Sequence, residues 1–126
     1  MECEPRKEAY EFAKACWEEK EGLLNNYFER PDSLHPEFIS AVELLINELN
    51  LPEEKMELLK KILDTALTDA FYTLLMALDG CAGLGNSMQQ AYQIIGDEDG
   101  ALISECGDLE EAAYIWFHET PVNRNE

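Results

Sequence analysis

The sequence predicts an α+β fold, a mainly helical single domain over residues 1–126 with a small C-terminal β-hairpin. Apolar residues recur three or four positions apart through most of the chain, which is typical of amphipathic helices. Prolines and capping residues divide these stretches into four helices. The hairpin is predicted by a turn sequence, residues 97–100, between the short stretches 88–95 and 101–105. An all-α bundle is the alternative if residues 88–95 are helical.

The first predicted helix spans about residues 5–29. Pro5 suits its first turn, where a missing N–H costs nothing, and Pro31 ends it. Gly22 weakens its middle enough to permit a kink or a break. The apolar stripe of this helix consists of Ala9, Phe12, Ala13, Cys16, Trp17, Leu23, Leu24, Tyr27 and Phe28.

The second predicted helix begins at the capping residues Asp32 and Ser33 and ends near Leu49. The third begins at Pro52 and ends before Gly80, which can take the left-handed conformation of a helix C-cap. At 1.5 Å per residue, its roughly 25 residues would span about 40 Å. We therefore expect it to be the central helix around which the others pack.

Residues 88–95 fit two structures. As a strand, they alternate between two faces; as a helix, Met88, Ala91, Tyr92 and Ile95 share one side. The turn that follows favours the strand. Because an isolated hairpin is marginally stable in water, the predicted hairpin would have to lie on the third helix.

The fourth predicted helix begins at Asp108, and Glu111 completes an approximate capping box. Pro121 ends it, and residues 122–126 are predicted to be a frayed tail. The apolar residues expected to dock on the core are Leu109, Ala112, Ala113, Trp116 and Phe117.

The charge of the chain is strongly negative and unevenly placed. There are 27 acidic and 9 basic residues, giving −18, whereas a magnitude of about 2–8 suffices to keep a small domain soluble. Residues 64–119 contain eleven acids and no Lys or Arg. Such a one-sign field attracts cationic partners and repels nucleic acid and anionic membranes. It predicts a cationic protein partner, although a merely solubilising surface would look the same.

This acid-only stretch supplies the candidate partner-binding residues. Acids cluster at the predicted hairpin tip and at the start of the last helix, and tyrosines lie among them. Tyrosines are enriched at interface cores, although Tyr72, Tyr92 and Tyr114 could equally be half-buried structural residues. The predicted partner-binding residues are Asp97, Glu98, Asp99, Asp108, Glu110, Glu111, Tyr92 and Tyr114.

Two glycine-containing segments resemble ligand loops only superficially. Residues 80–87 read GCAGLGNS, but Asn86 stands where a phosphate-binding loop needs lysine, and the segment follows a helix rather than a strand. Residues 97–100 hint at a calcium loop, but Ile95 and Cys106 fall where its carboxylates are needed. We therefore expect no metal and no cofactor.

Catalytic residues are not indicated by the sequence either. The two histidines, His35 and His118, are far apart and form no triad pattern, and the four cysteines match no zinc or redox spacing. With 27 acids, some carboxylate pair is expected by chance. Only a buried carboxylate of raised pKa in an apolar cleft would favour an enzyme. The prediction is therefore a protein without catalytic activity.

The start of the chain predicts a cytoplasmic protein with reduced cysteines. Residues 1–5 have no apolar stretch after a basic region, so they do not resemble a signal peptide. No run approaches the roughly 18 apolar residues of a membrane span.

Residues 71–119 contain Leu78-Asp79-Gly80 at a helix end, Asp97-Glu98-Asp99-Gly100 at a turn, and a final acidic and aromatic helix. This pattern resembles the small acidic bacterial immunity-type proteins of contact-dependent and other polymorphic toxin systems. The resemblance implies binding to a cognate toxin domain, often a basic nuclease. The predicted function is an inhibitor that neutralises such a toxin through its acidic surface; the alternative is a structural or adaptor protein that self-associates through amphipathic helices.

Overall fold

The computed structural model describes residues 6–29, 40–103 and 107–119. Its described part is mainly helical, and four helices appear where the sequence predicts them. Their bounds are α1 Lys7–Phe28, α2 Ala41–Leu49, α3 Glu53–Leu78 and α4 Asp108–Tyr114. From α4 the chain continues directly into a π-helical turn, Ile115–Glu119.

The predicted β-hairpin is wrong: the described residues contain no β-strand and no sheet. A turn does form, with the Gly96 and Ala101 backbones joined by a hydrogen bond of 2.8 Å. Pairing around it is limited to one antiparallel bridge, between Ile95 and Leu102. Ala91, four residues earlier, pairs instead with Asp79 at the end of α3. Because the segment divides its pairing between two partners, neither ladder extends into a strand.

Residues 88–95 do not form the alternative helix either. The predicted α+β class is therefore wrong, and the described part of the fold is mainly helical. The all-α alternative required residues 88–95 to be helical, which they are not. In the described part of the connection between α3 and α4, residues 79–103, the chain is irregular and held by backbone bridges.

The first helix is unbroken, and the second helix has its N-cap at Ser40. α1 runs through Gly22 without a break. α2 begins at Ala41, where the Ser40 hydroxyl accepts a hydrogen bond of 3.1 Å from the Glu43 N–H. The predicted start of this helix, at residues 32–33, lies outside the described residues, as do Pro121 and the predicted tail.

The end of α3 confirms the predicted glycine cap. Gly80 has φ +83° and donates its N–H to the Ala77 carbonyl, while Cys81 donates to the Met76 carbonyl. This pair of bonds is the Schellman motif, which satisfies the last carbonyls of a helix. A Cβ on Gly80 would lie 2.9 Å from the Cβ of Ala91, so the packing of the connecting segment also requires glycine.

The core lies between α1, α4 and the second half of α3. Small side chains let α1 and α4 approach closely, since Ala9, Ala13, Ala112 and Ala113 are fully buried. Larger residues fill the space beside them; these are Leu75, Leu109 and Phe117. Docking of the last helix on the core is thus confirmed.

The π-helical turn carries two aromatic residues that face different helices. Trp116 contacts Tyr10 and Trp17 on α1, with ring centroids 5.4 and 5.5 Å apart. Phe117 stacks on Phe71 of α3 at 6.0 Å. The π-helical turn therefore joins α1 to α3.

The prediction that α3 is the central helix is correct for only half of its length. Its buried residues, Leu75 and Ala77, both lie near its C-terminal end. Near its N-terminal end, Leu58 and Ile62 are exposed. α2 packs on α1 and not closely on α3, while the first half of α3 contacts α1 through the pairs Lys60–Glu29 and Asp64–Lys20.

Candidate functional site

Asp79 joins the end of α3 to the start of α4. Its carboxylate Oδ2 accepts hydrogen bonds from the N–H groups of Gly107, at 2.7 Å, and Glu110, at 3.0 Å. These two N–H groups lie at the N-terminus of α4, where backbone donors have no acceptor within the helix. The N-cap of α4 is Gly107 and not the predicted Asp108. The predicted capping box is therefore replaced by a cap that comes from a distant residue.

Burial raises the pKa of the Asp79 carboxyl above its ordinary value, while the two backbone hydrogen bonds lower it and nearby Asp108 raises it. The second oxygen, Oδ1, has no hydrogen-bond partner among the described residues. A buried carboxylate of raised pKa is the feature that would favour an enzyme. Here, however, the side chain is fully buried and occupied in capping α4, so the geometry assigns it a structural role.

An acid–aromatic face lies beside this junction. Glu110, Tyr114 and His118 follow one another at intervals of four along α4 and the π-helical turn, so they share one side of the helix. Tyr72 of α3 meets the His118 ring edge-on at 4.5 Å, and Tyr114 lies 5.9 Å from the same ring. We call Glu110, Tyr114, His118 and Tyr72 the acid–aromatic face.

The electrostatics of this face are set by its acids. Burial raises the pKa of the Tyr72 phenol, and the Glu110 carboxylate, Tyr114 and Cys81 raise it further. Glu110 is therefore close enough to Tyr72 for the two groups to interact. Tyr114 and His118 are exposed, and Glu110 is half-buried. The face combines apolar ring surface with negative charge, which is the chemistry that attracts a guanidinium or ammonium group.

The predicted acids at residues 97–99 lie on an exposed turn elsewhere on the molecule. Asp99 caps that turn by accepting the Ala101 N–H at 3.0 Å. It also lines a shallow groove against the start of α1, where Lys7, Glu8 and Glu11 lie. The structure therefore places Asp99 beside the start of α1, and Glu110 and Tyr114 beside Tyr72 and His118.

The remaining predicted residues lie near the start of α4 or on the connection. Asp108 is half-buried next to Asp79, and Glu111 is exposed on the first turn of α4. Tyr92 is half-buried, and its N–H donates to the Leu78 carbonyl at 2.9 Å. Its hydroxyl accepts a long hydrogen bond from Gln90. Tyr92 thus serves mainly to hold the connection against α3.

Sequence reasoning missed His118 and named Tyr72 only as a possible anchor. The spacing of 110, 114 and 118 was a signal for His118, because positions four apart share a helix face. Tyr72 lies on a different helix, so only the tertiary structure shows that it joins this face.

A second surface, the α2–α3 cleft, was not predicted. α2 and α3 are joined by only three residues, yet their apolar sides diverge and enclose an open cleft of about 530 Å³. Its apolar lining consists of Val42, Leu45, Ile46, Leu49, Leu59 and Leu63. Further apolar side chains are exposed around it; these are Leu44, Leu58 and Ile62. Contiguous exposed apolar surface of this kind marks an interaction site.

Within the described ranges, no group of three or more His, Cys, Asp or Glu residues is arranged to hold a metal ion. None of the helices in that part of the chain has the length and apolar composition needed to cross a membrane.

No protein-family model, curated protein or solved structure matches the chain. The resemblance of residues 71–119 to immunity-type proteins therefore stays a prediction.

Proposed function

We propose that this protein is a cytoplasmic, protein-binding inhibitor that neutralises a basic, nuclease-like toxin domain through its acidic surface. The observation that supports the proposal most directly is the acid-only stretch, residues 64–119, which contains eleven acids and no lysine or arginine. Among those that the structure describes, six have exposed side chains, namely Asp69, Asp97, Glu98, Asp99, Glu111 and Glu119.

A nuclease must attract phosphate groups, so the cleft that holds its substrate is cationic. An acidic surface of fixed shape can occupy such a cleft in place of nucleic acid. Long-range attraction between the two proteins also raises the association rate, and this effect falls as salt is added. Inhibition of this kind needs no catalytic group on the inhibitor.

The acid–aromatic face supplies what charge alone lacks, a set of ordered apolar contacts. Tyrosine presents a large rigid surface whose immobilisation costs little entropy, and such residues are typical interface anchors. Tyr114 is exposed next to Glu110, so a basic side chain could stack on the ring and pair with the carboxylate at once. We therefore place the strongest contact at Tyr114 and Glu110, with the 97–99 turn contributing mainly to long-range attraction.

The test is affinity capture from the source lysate at low and at moderate salt, with a charge-reversed variant as the second bait. Four acids on the proposed surface are changed to lysine, namely Asp97, Asp99, Glu110 and Glu111. We expect the wild type to retain one basic protein in equal amount to the bait, with capture weakening as salt rises. The variant should lose it.

The matched control carries four acid-to-lysine changes outside the acid-only stretch, at Glu18, Glu53, Glu54 and Glu57. All four are exposed, and Glu53 and Glu54 lie in the first turn of a helix as Glu110 and Glu111 do. This control changes the net charge by the same amount but leaves the acid-only stretch unaltered. It should therefore still capture the partner. Equal loss in both variants, or equal retention, would contradict the assignment of the surface.

A further inference from the structure

Glu110 belongs to two arrangements at the same time. Its backbone N–H donates to the Asp79 carboxylate at 3.0 Å. Its own carboxylate lies near enough to Tyr72 to raise the pKa of that phenol. The buried acid therefore holds the backbone of the residue that supplies the negative charge of the acid–aromatic face.

Asp79 is itself fixed at the end of α3. Only 1% of this residue is exposed. Its N–H donates to the Leu75 carbonyl at 3.1 Å, and an antiparallel bridge pairs it with Ala91. Tyr72 lies seven positions earlier, so the two positions fall on the same side of the helix. The end of α3 thus carries both the group that binds the start of α4 and the ring beside which Glu110 lies.

Apolar packing alone does not fix the orientation of the first turn of α4. Leu109 is fully buried and holds the helix against the core, but apolar contacts are non-directional. Hydrogen bonds, by contrast, weaken steeply as they depart from linear geometry. Gly107, the N-cap, has no side chain with which to hold the turn. The bonds of 2.7 and 3.0 Å to the Asp79 carboxylate therefore set how this turn is rotated.

From these contacts we propose that Asp79 is the positioning residue of the acid–aromatic face: its bonds to the first turn of α4 hold the Glu110 carboxylate beside Tyr72. The cationic partner of this face rests on the proposed function, whereas the position of Glu110 is a property of the protein alone. The two parts are therefore tested by separate measurements.

The Tyr72 phenol reports whether Glu110 is in place. Burial raises its pKa most, and the Glu110 carboxylate, Tyr114 and Cys81 raise it further. When the first turn of α4 rotates away, the carboxylate leaves the ring and the pKa falls toward its ordinary 10.0. Isotope labelling of the five tyrosines at Cζ gives each ring an NMR signal that shifts on ionisation. The Tyr72→Phe variant identifies the signal that belongs to this ring.

We expect Asp79→Ala to lower the Tyr72 pKa when Glu110 is present and to change it much less in a Glu110→Gln background. This double-mutant cycle removes any effect of the substitution on burial of the ring, because that effect is common to both backgrounds. Asp79→Asn, which keeps an oxygen for the two N–H groups, should keep most of the wild-type value. Equal lowering in the two backgrounds, or none in either, would overturn the proposal.

The matched control for the titration is Asp108→Ala, which removes a carboxylate two positions from Glu110 that accepts neither of the two N–H bonds. It should leave the Tyr72 pKa close to the wild-type value. A fall as large as that of Asp79→Ala would contradict the proposal, since loss of any nearby charge would then suffice. Circular dichroism through the titration establishes that each variant stays folded. If Asp79→Ala does not fold, Asp79→Ser takes its place, because its hydroxyl ends one bond short of the two N–H groups.

The effect on binding is measured with the same variants by affinity capture from the source lysate. Glu110→Gln and Asp79→Ala should each weaken retention of the basic protein. The double variant should retain no less than Glu110→Gln alone, because Asp79 acts through Glu110. Undiminished capture by Asp79→Ala, together with a lowered Tyr72 pKa, would show that binding does not depend on the position of Glu110 and would overturn that part of the inference. A wild type that captures no basic protein would contradict the proposed function, and the Tyr72 titration would still decide the positioning role.

Discussion

Asp79 shows what a single buried carboxyl does in this fold, and it gives a pH-dependent prediction. Its folded-state pKa is raised above the ordinary 3.8. At pH values between the two pKa values, the folded protein therefore retains a proton that the unfolded chain has lost. The stability that this supplies is complete below the ordinary pKa and is lost as pH rises through the folded pKa. Asp79→Asn keeps an oxygen for the two N–H groups but cannot ionise.

We expect the wild type to lose stability relative to Asp79→Asn as pH rises above 3.8. Urea unfolding of both proteins over a pH series measures this difference, and the other acids cancel in the comparison. Asp79→Ala, which removes the cap at every pH, should cost about 1–2 kcal/mol throughout. Parallel curves for the wild type and Asp79→Asn would show that Asp79 titrates alike in both states.

Alanine substitutions at two glycines after α3 distinguish the cost of backbone strain from the cost of packing. Gly80 and Gly85 both have positive φ, +83° and +60°, so alanine at either is strained by about 1 kcal/mol. Only at Gly80 would the new Cβ also meet Ala91, at 2.9 Å, and crowding of this kind costs about 1–3 kcal/mol more. Thermal or urea unfolding should therefore rank Gly80→Ala well below Gly85→Ala. Equal stability of the two would mean that residue 91 moves aside freely.

The two residues at the end of α3 differ in how far the sequence predicted them. Gly80 follows an apolar helix pattern directly, and that local signal was enough to predict the C-cap. The role of Asp79 depends on Gly107 and Glu110, about 30 positions later, so no local pattern reveals it. Asp108 looks like the better cap in the sequence, and the distant carboxylate takes its place.

At the scale of elements, Lys20 ties α1 to α3. Its ammonium group is nearly buried and lies 2.7 Å from Asp64 and 3.3 Å from the Thr68 hydroxyl, with Glu21 at 3.0 Å. Desolvation strengthens such a pair, but Asp64 is 47% exposed, which limits the gain. We expect a double-mutant cycle of Lys20→Met and Asp64→Asn to give a coupling of about 1–2 kcal/mol.

The comparison pair is Lys60 and Glu29, which also joins α3 to the end of α1 but is 37% and 66% exposed. The same cycle there should give less than about 0.5 kcal/mol, since exposed ion pairs contribute little. Coupling energies of similar size would mean that burial of the Lys20 ammonium group does not strengthen its pair.

The elements themselves were predictable to different degrees. All four helices follow from apolar spacing, because each buries one side against a neighbour. The hairpin failed because residues 88–95 divide their pairing between Asp79 and Leu102, a choice made by the tertiary structure. The α2–α3 cleft could not be predicted for a related reason. The leucines of α2 and α3 look like core residues in the sequence, and only the angle between the helices leaves them exposed.

For the molecule as a whole, the net charge of −18 should oppose folding by self-repulsion. We expect the melting temperature to rise as sodium chloride increases from about 0.01 to 0.15 M, over which the screening length falls from about 30 to 8 Å. Chloride is preferable to sulfate, which also strengthens apolar burial. A variant with Asp97, Asp99, Glu110 and Glu111 changed to the corresponding amides should show a smaller rise. A melting temperature that does not respond to salt would show that the acids are too well solvated to repel one another.

The pairing of α1 with α4 has a consequence for synthesis of the chain. Ala9 and Ala13 reach their buried environment only when Leu109 and Ala112, about 100 residues later, have left the ribosome. At translation rates of about 5–20 residues per second, α1 waits on the order of ten seconds for its partner. During that interval the leucines of α2 and α3 are already exposed. The nascent chain, still incompletely folded, therefore depends on its many carboxylates to keep neighbouring copies apart.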